Sequence, residues 1–292
     1  MPGELLREMT NTNRICAGIV TFNPSLNRLR QVVRSIIEQV EELVIADNGS
    51  CNISDIKDVV LPLGDKVKLL LNTDNLGIAK ALNQICKYSS QEGYCWVLTL
   101  DQDTICPPNL IQGLSRGFLI DNAGIICPAV KYEGVKLITE NLSEEMEDDT
   151  ACMTSSSLTR LSAWDAVGGF NEGYFIDFVD NEFCMKLRLH DLRIIRINSC
   201  IISHQLGDSV KRRFLWKNVK GTSHKPWRIY YMVRNNLLFI KEFKSDLNIT
   251  KEYLKILYIL GNEFFFSNQK TEVLTYAWKG FCDAMHNKTG KM

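Results

Sequence analysis

An α/β fold built on a mainly parallel sheet with helices on both faces is what this sequence predicts, on three observations. Short apolar runs at residues 15–22, 43–46, 67–71 and 96–100 alternate with helix-like segments at 26–40, 78–88 and 110–119, and strand-helix alternation of that kind builds parallel sheets. Three of these runs end in polar, turn-forming residues: Thr21, Phe22, Asn23 and Pro24 after the first, Asp47, Asn48, Gly49 and Ser50 after the second, and Asp101, Gln102 and Asp103 after the fourth. Ligands of open α/β sheets sit at such C-terminal strand ends. Finally, 292 residues of 45% hydrophobic content suffice for one large α/β domain with an appendage.

Each element has a local reason. The first run carries the β-branched and small residues of a buried strand, and residues 26–40 place leucines, valines and isoleucines at helical spacing. Residues 72–84, NTDNLGIAKALNQ, set Asn75 and Gly77 in a turn ahead of a helix. The acidic stretch 131–150 is weakly periodic and reads as a loop with solvated charges. Past Trp227 the pattern turns helical, and its mixed aromatic, aliphatic and lysine content suits helices that pack on the sheet or touch a membrane surface. The expected division is a tail at 1–13, a catalytic domain at 14–225 and a helical region at 226–292.

Composition excludes some functions. Lys plus Arg and Asp plus Glu each total 34, so no overall field attracts nucleic acid. The ten cysteines are scattered without a C-x-x-C pair, which suits a reduced, cytoplasmic protein. The stretch MPGELLREMTNTNR lacks the apolar core expected of a signal peptide, and no uninterrupted apolar stretch approaches the roughly 20 residues of a membrane span.

The chemistry-bearing residues gather at the strand ends. Asp101 and Asp103 flank Gln102 after the strand WVLTL, and alternate residues of an extended chain point the same way. Two hard oxygen donors there suit Mg²⁺ or Mn²⁺, which bind substrate phosphates as well as one or two carboxylates. The pair can equally cap the following helix. Asp47 can accept hydrogen bonds from a nucleoside or form an Asx-turn with Asn48 and Gly49. The helix after Gly77 offers N-terminal N–H groups to a nucleotide.

Asp177, Asp180 and Glu182 lie near the start of a helix, where acids are favoured by the dipole. Asp180 is the candidate base for an acceptor hydroxyl, with Glu182 orienting it or contacting the acceptor. His204 can complete a metal site begun by two carboxylates, or be structural. Lys211, Arg212, Arg213, Lys217, Lys220, Lys225 and Arg228 form a basic loop that suits diphosphate or anionic lipid, with a solvated face as the alternative.

Seven segments in order, GIVTFNP, VIADNGS, NLGIAKALN, LTLDQDT, GGFNEGYFIDFVDNEFC, SHQLGD and RIYYMVRN, resemble the inverting family 2 glycosyltransferases of GT-A fold, and most closely their rhamnosyltransferase-like branch. The similarity covers residues 14–240. It implies that Thr21, Phe22 and Asp47 hold the nucleoside, with Asn75, Gly77 and Lys80 near the base or phosphates. It also implies that Asp101 and Asp103 are the metal-binding D-x-D, that His204 adds a metal ligand, and that Asp180 is the general base.

Val179 stands where the family pattern has an acid, so Asp177 would supply that charge. Tyr231 and Arg234 would contact acceptor or diphosphate in a segment that closes over the site; packing and capping are their structural alternatives. The resemblance implies a dTDP- or UDP-sugar donor, and within it the DQDT form, with Gln102, points toward dTDP-rhamnose. The resemblance further implies a saccharide or polyprenyl-diphosphate-linked acceptor, in O-antigen or capsule assembly at the inner face of the cytoplasmic membrane. A sugar-phosphate nucleotidyltransferase would need a glycine-rich basic loop near the N-terminus, where TFNPSLNRLR has no glycine. A non-catalytic subunit of the same fold is the other rival.

Overall fold

The computed structural model describes residues 13–132, 145–204, 208–214 and 217–292, with the side chains of 132, 204, 208–214 and 217–222 outside the description. The chain forms two compact units, 1–172 with 179–204, and 173–178 with 205–292.

The first unit opens with β1 (Ile15–Thr21), α1 (Leu26–Ile36), β2 (Glu42–Asp47), α2 (Ile53–Val60), β3 (Val67–Leu71), α3 (Ile78–Gln91) and β4 (Trp96–Asp101). It continues through α4 (Leu110–Leu114), β5 (Ala123–Tyr132), β6 (Met146–Asp149), β7 (Ser157–Arg160), α5 (Leu161–Ala166), α6 (Val179–Leu189) and β8 (Arg193–His204). Its eight strands lie in the order β3-β2-β1-β4-β7-β5-β8-β6. The pairs β1/β2, β2/β3, β1/β4 and β5/β8 are parallel, while β7 runs antiparallel between β4 and β5 and β6 runs antiparallel to β8. Every residue of β1 is buried, as expected of a strand covered on both faces. Leu29, Val32, Val33 and Ile36 of α1 join Ile19, Ile45 and Leu98 in the core.

Two sequence expectations change. The acidic stretch is not wholly a loop: Glu147, Asp148 and Asp149 form β6, held by Arg196 at 2.5 Å from Glu147 and from Asp149, and by Arg193 at 2.7 Å from Asp148. The basic loop is instead an antiparallel hairpin of β9 (Asp208–Phe214) and β10 (Lys217–Ser223); the side chains of Lys211, Arg212, Arg213, Lys217 and Lys220 lie outside the described residues.

The second unit adds α7 (Pro226–Glu242), α8 (Ile249–Phe266) and α9 (Lys270–Met285). A Cβ on Gly280 would meet the Tyr230 carbonyl oxygen at 2.5 Å, so glycine permits the close packing of α9 on α7. Among the described residues no helix is long and apolar enough to cross a membrane. All ten cysteines are free, and burial pushes the Cys16 and Cys106 thiols up to about 12.

Candidate functional site

The chain runs outward from β1 through β2 to β3 and then returns to place β4 on the other side of β1. The C-terminal ends of β1 and β4 at that reversal are the position where ligands of open α/β sheets bind. The register sets Thr21 beside Asp47 and Val20 beside Asp101. Carboxylates therefore end the strands on both flanks of β1.

Asp47 is 1% exposed. Its Oδ1 accepts from Thr21 Oγ1 at 2.9 Å and Ser50 Oγ at 2.6 Å, and its Oδ2 from the Gly49 and Ser50 amides at 3.1 and 2.8 Å. The Asx-turn is formed, and Thr21 and Asp47 face each other. Gly49 has φ 79° and the Asp74 Cα would lie 2.8 Å from any Cβ there, so this turn requires glycine. Phe22, in contrast, is exposed.

Asn75 Oδ1 accepts from the Gly77 amide at 2.9 Å, and Gly77 caps α3 with φ 90°. Asn48, absent from the sequence-derived set, donates to the Gly77 carbonyl at 3.0 Å and accepts from Asn72 at 3.1 Å. Asn72 in turn exchanges two amide bonds with Gln84. Lys80, expected near base or phosphates, is paired with Glu172 at 2.8 Å.

Asp101 is half-buried and Asp103 exposed. Their loop is fixed by its backbone: the Asp101 amide donates to Ser155 Oγ at 3.0 Å, and Arg28 Nε donates to the Asp103 carbonyl at 2.7 Å. Gln102 Oε1 accepts from the Phe22 amide at 2.9 Å, with Nε2 3.5 Å from the Phe22 carbonyl. Gln102 thus clamps the β1 end to the β4 end. Losing that clamp, worth about 1 kcal/mol, is expected to make Gln102→Ala raise the donor KM roughly fivefold by the same factor for every donor tested, with kcat kept. A loss confined to one sugar would instead make Gln102 a direct sugar contact.

Two carboxylates are the complement that Mg²⁺ or Mn²⁺ takes when a diphosphate supplies further oxygens, so Asp101 and Asp103 fit such an ion. Among the described residues no three His, Cys, Asp or Glu side chains converge on a metal position. The His204 side chain lies outside the description, although its backbone ends β8.

Asp180 sits in the first turn of α6, half-buried, with Oδ1 accepting from the Asn181 amide at 2.9 Å. Glu182 is 1% exposed and 3.2 Å from Lys186, which also donates to the Gly169 carbonyl at 2.6 Å. Glu182 therefore faces the interior. Val179, at the position of the missing acid, is buried.

Within the second unit, residues 173–178 are held in an uncommon conformation, with positive φ at Phe175, Asp177 and Phe178. Asn235 donates to the carbonyls of Tyr174, Ile176 and Asp177 at 2.8, 2.8 and 2.9 Å. Arg228 grips the Asp177 carboxylate with its Nε and Nη2 at 2.8 to 3.1 Å. Arg234 is fully buried, donating to the Gly290 and Gly173 carbonyls at 2.6 and 3.1 Å and lying over the Tyr230 and Tyr231 rings. It anchors the Gly173 and Gly290 carbonyls from inside the unit. Tyr231 is also buried, and its hydroxyl accepts from the Met292 amide at 2.8 Å. The sequence signal for Asn235 was slight: an Asn inside a helix, where it is a weak helix former.

Residues 16–178 match the family profile described as Glycosyl transferase family 2. The dTDP-rhamnosyl transferase RfbF of Shigella flexneri is 31% identical over 248 residues, 80% of this chain and 81% of that protein. Among solved structures, the mannosyltransferase PcManGT of Pyrobaculum calidifontis, in complex with GDP-Man and Mn²⁺, superposes with a TM-score of 0.58 at 12% identity, covering 98% of this chain and 83% of its own. The S. aureus TarS fragment 1-349 gives 0.57 at 17% identity, covering 93% and 80%. At such identities the two structures report the fold.

Proposed function

We propose, from the premise that this chain belongs to glycosyl transferase family 2, that it is an inverting, divalent-metal-dependent enzyme moving L-rhamnose from dTDP-rhamnose to a saccharide or lipid-linked saccharide acceptor in surface polysaccharide synthesis. That the protein is a glycosyltransferase follows from the family. The observation that carries the finer reading is the pair of strand ends flanking β1, with Asp47 and its turn on one side and Asp101 and Asp103 on the other. The donor sugar is taken from the activity in the name of the 31% identical relative; the ion, from the carboxylate pair and from the Mn²⁺ in the PcManGT structure.

The nucleoside would lie along the ends of β1 and β2, where Phe22 offers an exposed ring. Asp101 and Asp103 would hold Mg²⁺ or Mn²⁺, which when bound offsets the charge on the departing diphosphate. Asp180 would take the proton of the acceptor hydroxyl as its oxygen bonds to the anomeric carbon and the bond from that carbon to the diphosphate oxygen breaks. One displacement from the opposite face inverts the anomeric centre.

The test incubates the purified protein with dTDP-rhamnose, other dTDP-sugars and UDP-sugars, with Mg²⁺, Mn²⁺ or chelator, and measures released nucleoside diphosphate. Release from dTDP-rhamnose, lost on chelation, is expected. In Asp103→Ala the donor KM should rise about tenfold, the loss of one charge-assisted contact of 1.4 kcal/mol. Release from UDP-sugars alone would sink the donor assignment, and activity indifferent to chelator would sink the metal.

A further inference from the structure

The charge pattern of α8 is inverted. Its two acids, Glu252 and Glu263, are buried, one paired with Lys255 and the other accepting from the His224 ring at 2.6 Å. Its outer face is apolar: Tyr253, Leu254, Leu257, Tyr258 and Phe264 are 41 to 75% exposed. At helical spacing these positions form one broad stripe opposite Ile256 and the two glutamates, and the exposed Lys251 and Lys255 run along one flank.

A second stripe lies on α9, where Leu274, Trp278, Phe281 and Met285 recur at i, i+4, i+7 and i+11 and are 40 to 67% exposed. Trp278 stacks on Phe281 with ring centroids 5.5 Å apart. The Lys270 ammonium lies 5.2 Å from the Phe264 ring centroid, so the stripes approach each other where α8 gives way to α9. Two adjoining outward apolar stripes are not the ordinary scatter of surface hydrophobics and mark a binding face.

Charge identifies the occupant. The chain as a whole is neutral, yet α8 and α9 expose Lys251, Lys255, Lys270 and Lys279 against Glu272, while Glu252, Glu263 and Asp283 are buried. A symmetric contact between two copies would bring like-charged regions together. An anionic bilayer attracts such a region, and Tyr and Trp settle at the headgroup level while Leu, Phe and Met enter the acyl boundary.

We propose that α8 and α9 form a docking face that lies in the surface of an anionic phospholipid membrane, whichever sugar the enzyme moves. Lysines along the flank of α8 meet the headgroups, and the two apolar stripes enter beneath them.

The experiment is cosedimentation of the full chain with vesicles of phosphatidylcholine alone, or mixed with phosphatidylglycerol. Binding to the mixed vesicles is expected, weakening as salt rises and falling at least about tenfold in Leu257→Glu/Trp278→Glu. Both side chains are more than half exposed, so the variant should keep the wild-type circular dichroism spectrum. Brominated lipid should quench the wild-type fluorescence and lose most of that effect in Trp278→Phe. Absence of binding to the mixed vesicles, or equal binding by the folded double variant, would overturn the proposal. So would a wild-type dimer that the double variant dissociates, because the face would then belong to a second copy.

Discussion

Asp180→Asn is expected to lower kcat by about 10²- to 10⁴-fold, the usual contribution of a positioned general base. The substitution isolates proton transfer from structure. In the wild type, Asp180 Oδ1 accepts from the Asn181 amide in the first turn of α6, and an asparagine side-chain oxygen can accept the same bond. The helix start is therefore kept while the basic oxygen is lost. Donor affinity, read from nucleotide binding with metal present, should stay at the wild-type value. Turnover near the wild-type value would remove Asp180 from the base role, and a matching fall in thermal stability would assign the loss to α6 instead.

Much of this fold is visible in the sequence because parallel strands covered on both faces are continuous apolar runs. β1, β2 and β4 are of that kind. β6 escapes the same reading because MEDD has no apolar alternation. It pairs with β8 through Arg193 and Arg196, a complementarity that appears only once the two segments are side by side. β9 and β10 escape for a similar reason, since a run of lysines and arginines carries the signature of a solvated loop.

The candidate site divides along another line. Asp101, Asp103 and Asp180 stand where strand-end and helix-start reasoning puts them. Side-chain direction is not encoded so locally. Thr21 faces Asp47, Glu182 faces the interior and Arg234 is enclosed by backbone carbonyls, each through partners that are distant in sequence or set by packing. Asn235 was missed altogether, because its three acceptors lie about 60 positions earlier. Such residues hold their own turns and loops in place, and their removal acts first on the fold.

Asp47→Ala tests that distinction at the nucleoside side. The substitution deletes a buried carboxylate that accepts from two hydroxyls and two backbone amides. The Gly49 and Ser50 amides lose a charged acceptor, and the hydroxyls of Thr21 and Ser50 lose the atom that joins them. A loss of about 3 kcal/mol is expected, lowering Tm by roughly 5–10 °C. Asp47→Asn keeps one oxygen for the two amides, and the hydroxyls can rotate to accept from its NH₂, so its Tm should lie between wild type and Asp47→Ala. Donor affinity should fall in the same order as Tm, because the turn that bears the ligand edge loosens with its acceptor. A direct contact between Asp47 and the nucleoside predicts another pattern, in which Asp47→Asn weakens donor binding as strongly as Asp47→Ala although its Tm lies between the two. Differential scanning fluorimetry and nucleotide titration on the same three proteins separate the two.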